Sequence, residues 1–244
     1  MRLTVVGSGD AFGSGGRFQT CIAVSADPTG PPRVLVDCGA TSLTAIRQQR
    51  LDPNDIDTVL VSHLHGDHFG GLPFLVLDGQ FRRRTEDLTV VGPVGTGTRL
   101  EQAMEALYPG STGVRRRFDV HVVEHVDRRP LQLGALRVTP FEVRHASGAP
   151  AYALRVESPT GSMAYSGDTE WTDALLDAAG DVEVFLCEGY CPHPVRWHLD
   201  LDTLARYRDR LTCGQLVLTH LSATALASDL TSWQVAHDGL QLGV

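Results

Sequence analysis

The 244-residue sequence contains no lysine; all 21 of its cationic side chains are arginine. That absence excludes Schiff-base catalysis and the lysine of a phosphate-cradling P-loop. It also lacks any run of about 18 apolar residues, so no membrane-spanning helix is expected. The first residues, Met1-Arg2-Leu3-Thr4-Val5-Val6, reach glycine too soon to form a secretory leader and read as a strand. A cytoplasmic location follows as the default. The five cysteines (Cys21, Cys38, Cys187, Cys191, Cys213) include no CxxC pair and are expected as free thiols. Positive charge is also scarce: the formal net charge is −8, which argues against nucleic-acid binding through bulk charge. The runs Arg82-Arg83-Arg84 and Arg115-Arg116-Arg117 could contact phosphates, but solvated loops are the favoured reading.

What is present is an alternation of strand and helix patterns with no low-complexity linker. Strands are expected at 1–6, 20–25, 33–36, 57–61 and 88–91. Helices are expected at 41–50, capped by Thr41 or Ser42, and at 69–80 and 96–107. The segments 118–125, 136–144, 151–157 and 162–166 read as strands of a second sheet. Helices at 171–179 and 201–210 then flank a strand at 183–187, and an apolar strand at 215–219 ends at His220. The tail from 222 to 244 is mixed. Strands dominate both halves with helices between them, which suits one domain over 1–244: a four-layer αββα sandwich with two sheets inside.

Directly after the apolar strand 57–61 stands Ser62-His63-Leu64-His65-Gly66-Asp67-His68. A tight glycine-containing loop lets imidazoles two residues apart converge on one ion, while Asp67 and His68 turn toward a second. Neutral imidazole and carboxylate are the ligands that zinc and similar divalent ions prefer. One loop cannot complete two sites. Three further ligand-type residues follow later strands: His145 after 136–144, Asp168 in Ser166-Gly167-Asp168-Thr169, and His220 in Leu218-Thr219-His220-Leu221.

These motifs resemble the metallo-β-lactamase superfamily, and within it the ribonuclease Z branch. The likeness runs from Val6-Gly7-Ser8-Gly9 to Asp238-Gly239, and Ser62 to Gly71 is similar to that branch's signature. The resemblance implies the αββα metallo-β-lactamase sandwich and two divalent ions. Zinc is the default metal, with manganese or iron also suited to a carboxylate bridge. It implies that His63, His65 and His145 hold one ion, that Asp67, His68 and His220 hold the other, and that Asp168 bridges them. Lactonases and glyoxalase II enzymes share the first motif, but they set the middle histidine in a Gly-His-Thr-Pro-Gly-Ser segment. Here the setting is Val143-Arg144-His145-Ala146-Ser147-Gly148, which favours the phosphodiesterase branch. The branch also carries a glutamate and a later histidine that match Glu188 and His198, with His198 as general acid.

The implied activity is phosphodiester hydrolysis, with Asp67 orienting or deprotonating a water shared by the two ions. The expected substrate is a small or cyclic phosphodiester or a short RNA. Hydrolysis of a lactone, thioester or other carbonyl compound is the alternative, and a non-catalytic metal-binding member of the fold a third. The sequence departs from tRNA-processing members in one respect. Only 22 residues separate His145 from Asp168, leaving no room for their long tRNA-gripping arm. With the negative net charge, this argues against tRNA as substrate. A homodimer is expected by analogy only.

Overall fold

The structure, a computed structural model, describes residues 1–244. Its strands are β1 (Arg2–Gly7), β2 (Cys21–Ser25), β3 (Val34–Val36), β4 (Thr58–Leu60), β5 (Leu88–Gly92), β6 (Val120–Glu124), β7 (Leu131–Leu133), β8 (Leu136–Val143), β9 (Ala151–Ser158), β10 (Gly161–Tyr165), β11 (Val184–Glu188), β12 (Gln215–Thr219), β13 (Gln234–Val235) and β14 (Gln241–Gly243). Its α-helices are α1 (Ser42–Gln48), α2 (Gly66–Phe69), α3 (Leu72–Phe81), α4 (Thr96–Leu107), α5 (Ala174–Ala179), α6 (Leu201–Tyr207) and α7 (Ala223–Leu226).

The strands form two seven-stranded mixed sheets, ordered β14-β1-β2-β3-β4-β5-β6 and β13-β12-β11-β10-β9-β8-β7. Each sheet is antiparallel at one end and parallel at the other: β3 to β6 run parallel in the first, β10 to β13 in the second. Period-two alternation decides the layering. In the first sheet Leu3, Val5, Ile22, Val36 and Leu60 point inward, where they meet Val138, Leu154, Val156, Met163 and Leu186 of the second. The alternate residues Val6, Ala23, Leu35, Val59 and Val61 point outward beneath Ile46, Leu72, Val76 and Leu100 of α1, α3 and α4. On the far side Ala153, Ala164, Phe185 and Leu218 pack under Leu175, Leu204 and Ala225 of α5, α6 and α7. The αββα sandwich expected from the sequence is therefore the fold.

Four local expectations are corrected. The 118–125 strand lies in the first sheet, where β6 pairs in parallel with β5. The order strand, helix, strand over 88–125 is a βαβ unit, and such a unit returns to the same sheet. The 69–80 helix is interrupted at Gly70-Gly71. A Cβ on Gly71 would lie 2.2 Å from the Gly39 carbonyl oxygen, and one on Gly39 would lie 2.2 Å from that of Asp67. The histidine loop and the loop after β3 thus touch backbone to backbone. Arg84 is buried rather than solvated; its guanidinium donates to the carbonyls of Glu86, Ile56 and Asp87 at 2.5–3.0 Å. Thr41 does not cap α1 with its side chain; its hydroxyl accepts the Gln19 N–H instead. The tail, unreadable in sequence, supplies an edge strand to each sheet: β13 beside β12, and β14 beside β1. All five cysteines are free, and no helix is long and apolar enough to cross a membrane.

Candidate metal centre

Parallel strands place their carboxyl ends on one rim, and open α/β sheets use that rim for ligands. The loops after β3, β4, β10, β11 and β12 meet there, joined by the loop after β8. They bring together every residue singled out from the sequence: His63, His65, Asp67, His68, His145, Asp168, Glu188, His198 and His220. One group is His63, His65 and His145; a second is Asp67, His68, Asp168 and His220; a third shares Asp168 and His220 with Glu188 and His198. Within each group the ligand-capable atoms lie within 4.8 Å of one another.

Asp168 stands between the first two groups. Its Oδ1 is 3.2 Å from His68 Nε2 and 3.6 Å from His220 Nε2. Its Oδ2 is 3.8 Å from His63 Nε2 and 3.8 Å from His145 Nε2. Gly167, at φ +59, turns the chain so that the carboxylate faces inward. Asp67 Oδ2 lies 3.2 Å from His68 Nε2 and 3.1 Å from His220 Nε2.

A layer of hydrogen bonds behind these atoms fixes their direction. Asp37 Oδ1 accepts the Ser62 N–H, and its Oδ2 accepts both the Ser62 hydroxyl and His68 Nδ1–H, all at 2.7 Å. The Ser62 hydroxyl is in turn 3.1 Å from His63 Nδ1. His145 Nδ1–H donates to the Trp197 carbonyl at 2.7 Å. Glu188 Oε2 accepts the backbone N–H groups of Thr169 and Leu199, while its Oε1 accepts His198 Nδ1–H at 2.5 Å. Tyr190 stacks on His198 with ring centroids 4.2 Å apart and planes 22° from parallel. Asp37 (φ +58), Trp197 (φ +73) and His220 (φ +58) are left-handed non-glycine residues. Such strain persists where surrounding contacts over-determine it, and it clusters at functional sites.

Asp37, Trp197 and Tyr190 were not singled out from the sequence. Asp37 carried a usable signal: a carboxylate ending the apolar strand Val34-Leu35-Val36 at the same rim as the histidine motif. Trp197 acts through its backbone, which leaves no mark on residue type.

The electrostatics are those of a site short of positive charge. Burial and the neighbouring His68 push His63 well below the ordinary histidine range, so it is neutral. Burial opposes charge on His220, but Asp168, Asp67 and Glu188 outweigh it and hold its pKa up to about 10. The same contest, with Asp168, Asp67 and Asp37 prevailing over burial, raises His68. Burial raises Asp67 and Asp168, yet the histidines around them pull both below the carboxylate range. The carboxylates thus draw protons onto imidazoles, a role that a divalent cation fills by displacing those protons. Buried His63 Nε2 has no hydrogen-bond partner. An unpaired buried polar atom is costly, and an ion there would remove the cost. The donor set of imidazole and carboxylate fits divalent ions of the zinc type.

A family model described as "Anti-Pycsar protein Apyc1" matches residues 1–232. The uncharacterized protein Rv1339 of Mycobacterium tuberculosis (strain H37Rv) is 33% identical over 240 residues, spanning 95% of this chain and 85% of that protein. Among solved structures, the short form of human tRNase Z (ELAC1) superposes with a TM-score of 0.77 at 20% identity, covering 100% of this chain and 99% of that one. The metallo-beta-lactamase fold protein YhfI from Bacillus subtilis superposes with a TM-score of 0.76 at 19% identity, covering 99% of each chain. The chain has the metallo-β-lactamase fold and belongs to the Anti-Pycsar protein Apyc1 family.

Proposed function

We propose that the protein is a dinuclear metal-dependent phosphodiesterase acting on a small or cyclic phosphodiester or a short RNA. His63, His65 and His145 would hold one divalent ion and Asp67, His68 and His220 the other, with the Asp168 carboxylate standing between the two groups. Zinc is the metal the donor set favours, with manganese or iron also accommodated by the carboxylates. The observation that carries this reading is Asp168, whose two oxygens face two separate groups of imidazoles. When bound, such a pair of ions supplies a nucleophilic water at neutral pH and neutralises charge on a phosphoryl group.

The chain's own residues then divide the remaining work. Asp67, held in its charged form, orients the attacking water or takes its proton. His198 donates a proton to the departing oxygen. Its Nδ1–H is committed to Glu188, so Nε2 is the nitrogen left for substrate. Burial opposes the charged imidazole, but the Glu188 hydrogen bond and charge outweigh it and raise the His198 pKa, favouring the protonated acid. Stacking on Tyr190 fixes the ring plane.

Several observations support a small or flexible substrate. The 22 residues between His145 and Asp168 are taken up mainly by β9 and β10, which pair with each other as a hairpin from Gly161–Ser158 to Tyr165–Leu154. They project no arm comparable to the one tRNA-processing members use. The matched solved structure named tRNase Z supports phosphodiester chemistry in this fold. The test is hydrolysis of bis(p-nitrophenyl) phosphate by the zinc-loaded protein against a panel of lactones and thioesters. Turnover of the phosphodiester alone is expected; turnover of the carbonyl compounds alone overturns the reading.

A further inference from the structure

We propose that Glu170 is a positioning residue, which aims His145 through the backbone of Trp197; the inference rests on reading His145 as a metal ligand. Glu170 lies two residues beyond Asp168. Its backbone N–H donates to the carbonyl of Arg144, the residue before His145, at 3.0 Å. In the same bridge the Arg144 N–H donates to the Thr169 hydroxyl at 3.1 Å. Glu170 is therefore fixed to both the turn carrying Asp168 and the strand end carrying His145.

From that anchor its side chain crosses to the loop before α6, where Oε1 accepts the Trp197 N–H at 2.9 Å. Trp197 sits at φ +73, a left-handed conformation that is unfavourable for a non-glycine residue. It needs a tether, and the Glu170 oxygen is one. In this conformation the Trp197 carbonyl accepts His145 Nδ1–H at 2.7 Å. A carbonyl only accepts, so the proton of neutral His145 is on Nδ1 and the lone pair is on Nε2. That nitrogen lies 3.0 Å from His65 Nδ1 and 3.8 Å from Asp168 Oδ2, inside the group of ligand atoms. Backbone carbonyls behind metal-binding histidines set tautomer and ring direction in this way. Here the carbonyl is itself set by a side chain one step further out. The residue after Trp197 is His198, so the same tether registers the acid against Glu188.

The role requires an oxygen at the reach of a glutamate side chain and requires no negative charge. That separates it from an electrostatic role. In a titration of metal-free protein with zinc alone, Glu170→Gln is expected to keep wild-type affinity at both sites. Glu170→Asp, charged but one methylene short, is expected to lose about tenfold or more at one of the two sites. The melting temperature of metal-free Glu170→Asp is expected to match the wild type, since the tether serves a ligand rather than the core. Wild-type zinc affinity in Glu170→Asp overturns the inference. So does the reverse order, with affinity kept in Glu170→Asp and lost in Glu170→Gln. A wild-type protein that binds fewer than two zinc ions overturns instead the metal reading on which the inference rests.

Discussion

His68 and Asp37 share a fully buried hydrogen bond of 2.7 Å, and the oxygen that closes it also accepts the Ser62 hydroxyl. One carboxylate therefore orients two histidines, His68 directly and His63 through Ser62, and so reaches both groups of candidate ligands from behind. Asp37→Asn keeps the shape and tolerates the left-handed backbone, but it cannot accept from His68 with full charge. Zinc affinity is expected to fall about 10–100-fold. Competition against a chromophoric chelator measures it; an unchanged affinity contradicts the orienting role.

His198 should separate chemistry from metal binding. His198→Ala is expected to keep both ions while losing about 10²–10⁴ in kcat on a substrate with an alkoxide leaving group. The loss on bis(p-nitrophenyl) phosphate should be much smaller, because nitrophenolate departs without protonation. Parallel kinetics on the two substrates check this; equal losses remove His198 from the role of acid.

His125 gives the fold a pH dependence of its own. It is buried, donates Nε2–H to the Val61 carbonyl at 3.1 Å, and burial drives its pKa down to about 4. The unfolded chain takes the proton first, near the ordinary value of 6.5. The contribution to stability is therefore complete above about pH 6.5 and lost as pH falls toward 4. The loss amounts to about 3 kcal/mol across that window. His125→Gln keeps a donor for Val61 and has nothing to titrate. Urea midpoints of the two metal-free proteins at pH 7.5 and 4.5 should show the wild type losing more stability on acidification; parallel losses contradict the assignment.

The contact between the loops after β3 and β4 predicts a steep cost for one methyl group. Gly39→Ala sets a Cβ 2.2 Å from the Asp67 carbonyl oxygen, so the backbone on one side must move. A destabilisation of about 2 kcal/mol or more is expected, with weakened zinc binding because Asp67 and His68 shift. Thermal unfolding checks it. Gly66→Ala, where a Cβ meets nothing within 4 Å, is the control and should stay near wild type.

Much of this molecule was legible in advance, and the reasons are physical. Apolar strands such as Val59-Leu60-Val61 announce burial on both faces, and ligand-type residues at their carboxyl ends announce a shared rim. That logic singles out His63, His65, Asp67, His68, His145, Asp168 and His220, whereas Glu188 and His198 come only from the family resemblance. It failed where information is carried by pairing or by backbone. β6 carries valines but lies exposed at the edge of its sheet, so apolar residues did not reveal its partner, and only the βαβ order assigns it. The break at Gly70-Gly71 comes from a neighbouring loop distant in sequence. Arg84 is buried because three carbonyls happen to surround it. The Trp197 carbonyl that directs His145 would be the same atom on any residue type.

The most direct test of the account is the zinc content of wild-type and Asp168→Ala protein, each dialysed against trace zinc and measured by native mass spectrometry. Two ions per chain are expected for the wild type, as the two facing groups of ligands require. Asp168→Ala, with the shared carboxylate gone, is expected to hold one or none. A wild-type chain carrying fewer than two ions, or an Asp168→Ala chain retaining both with undiminished affinity, contradicts the dinuclear site.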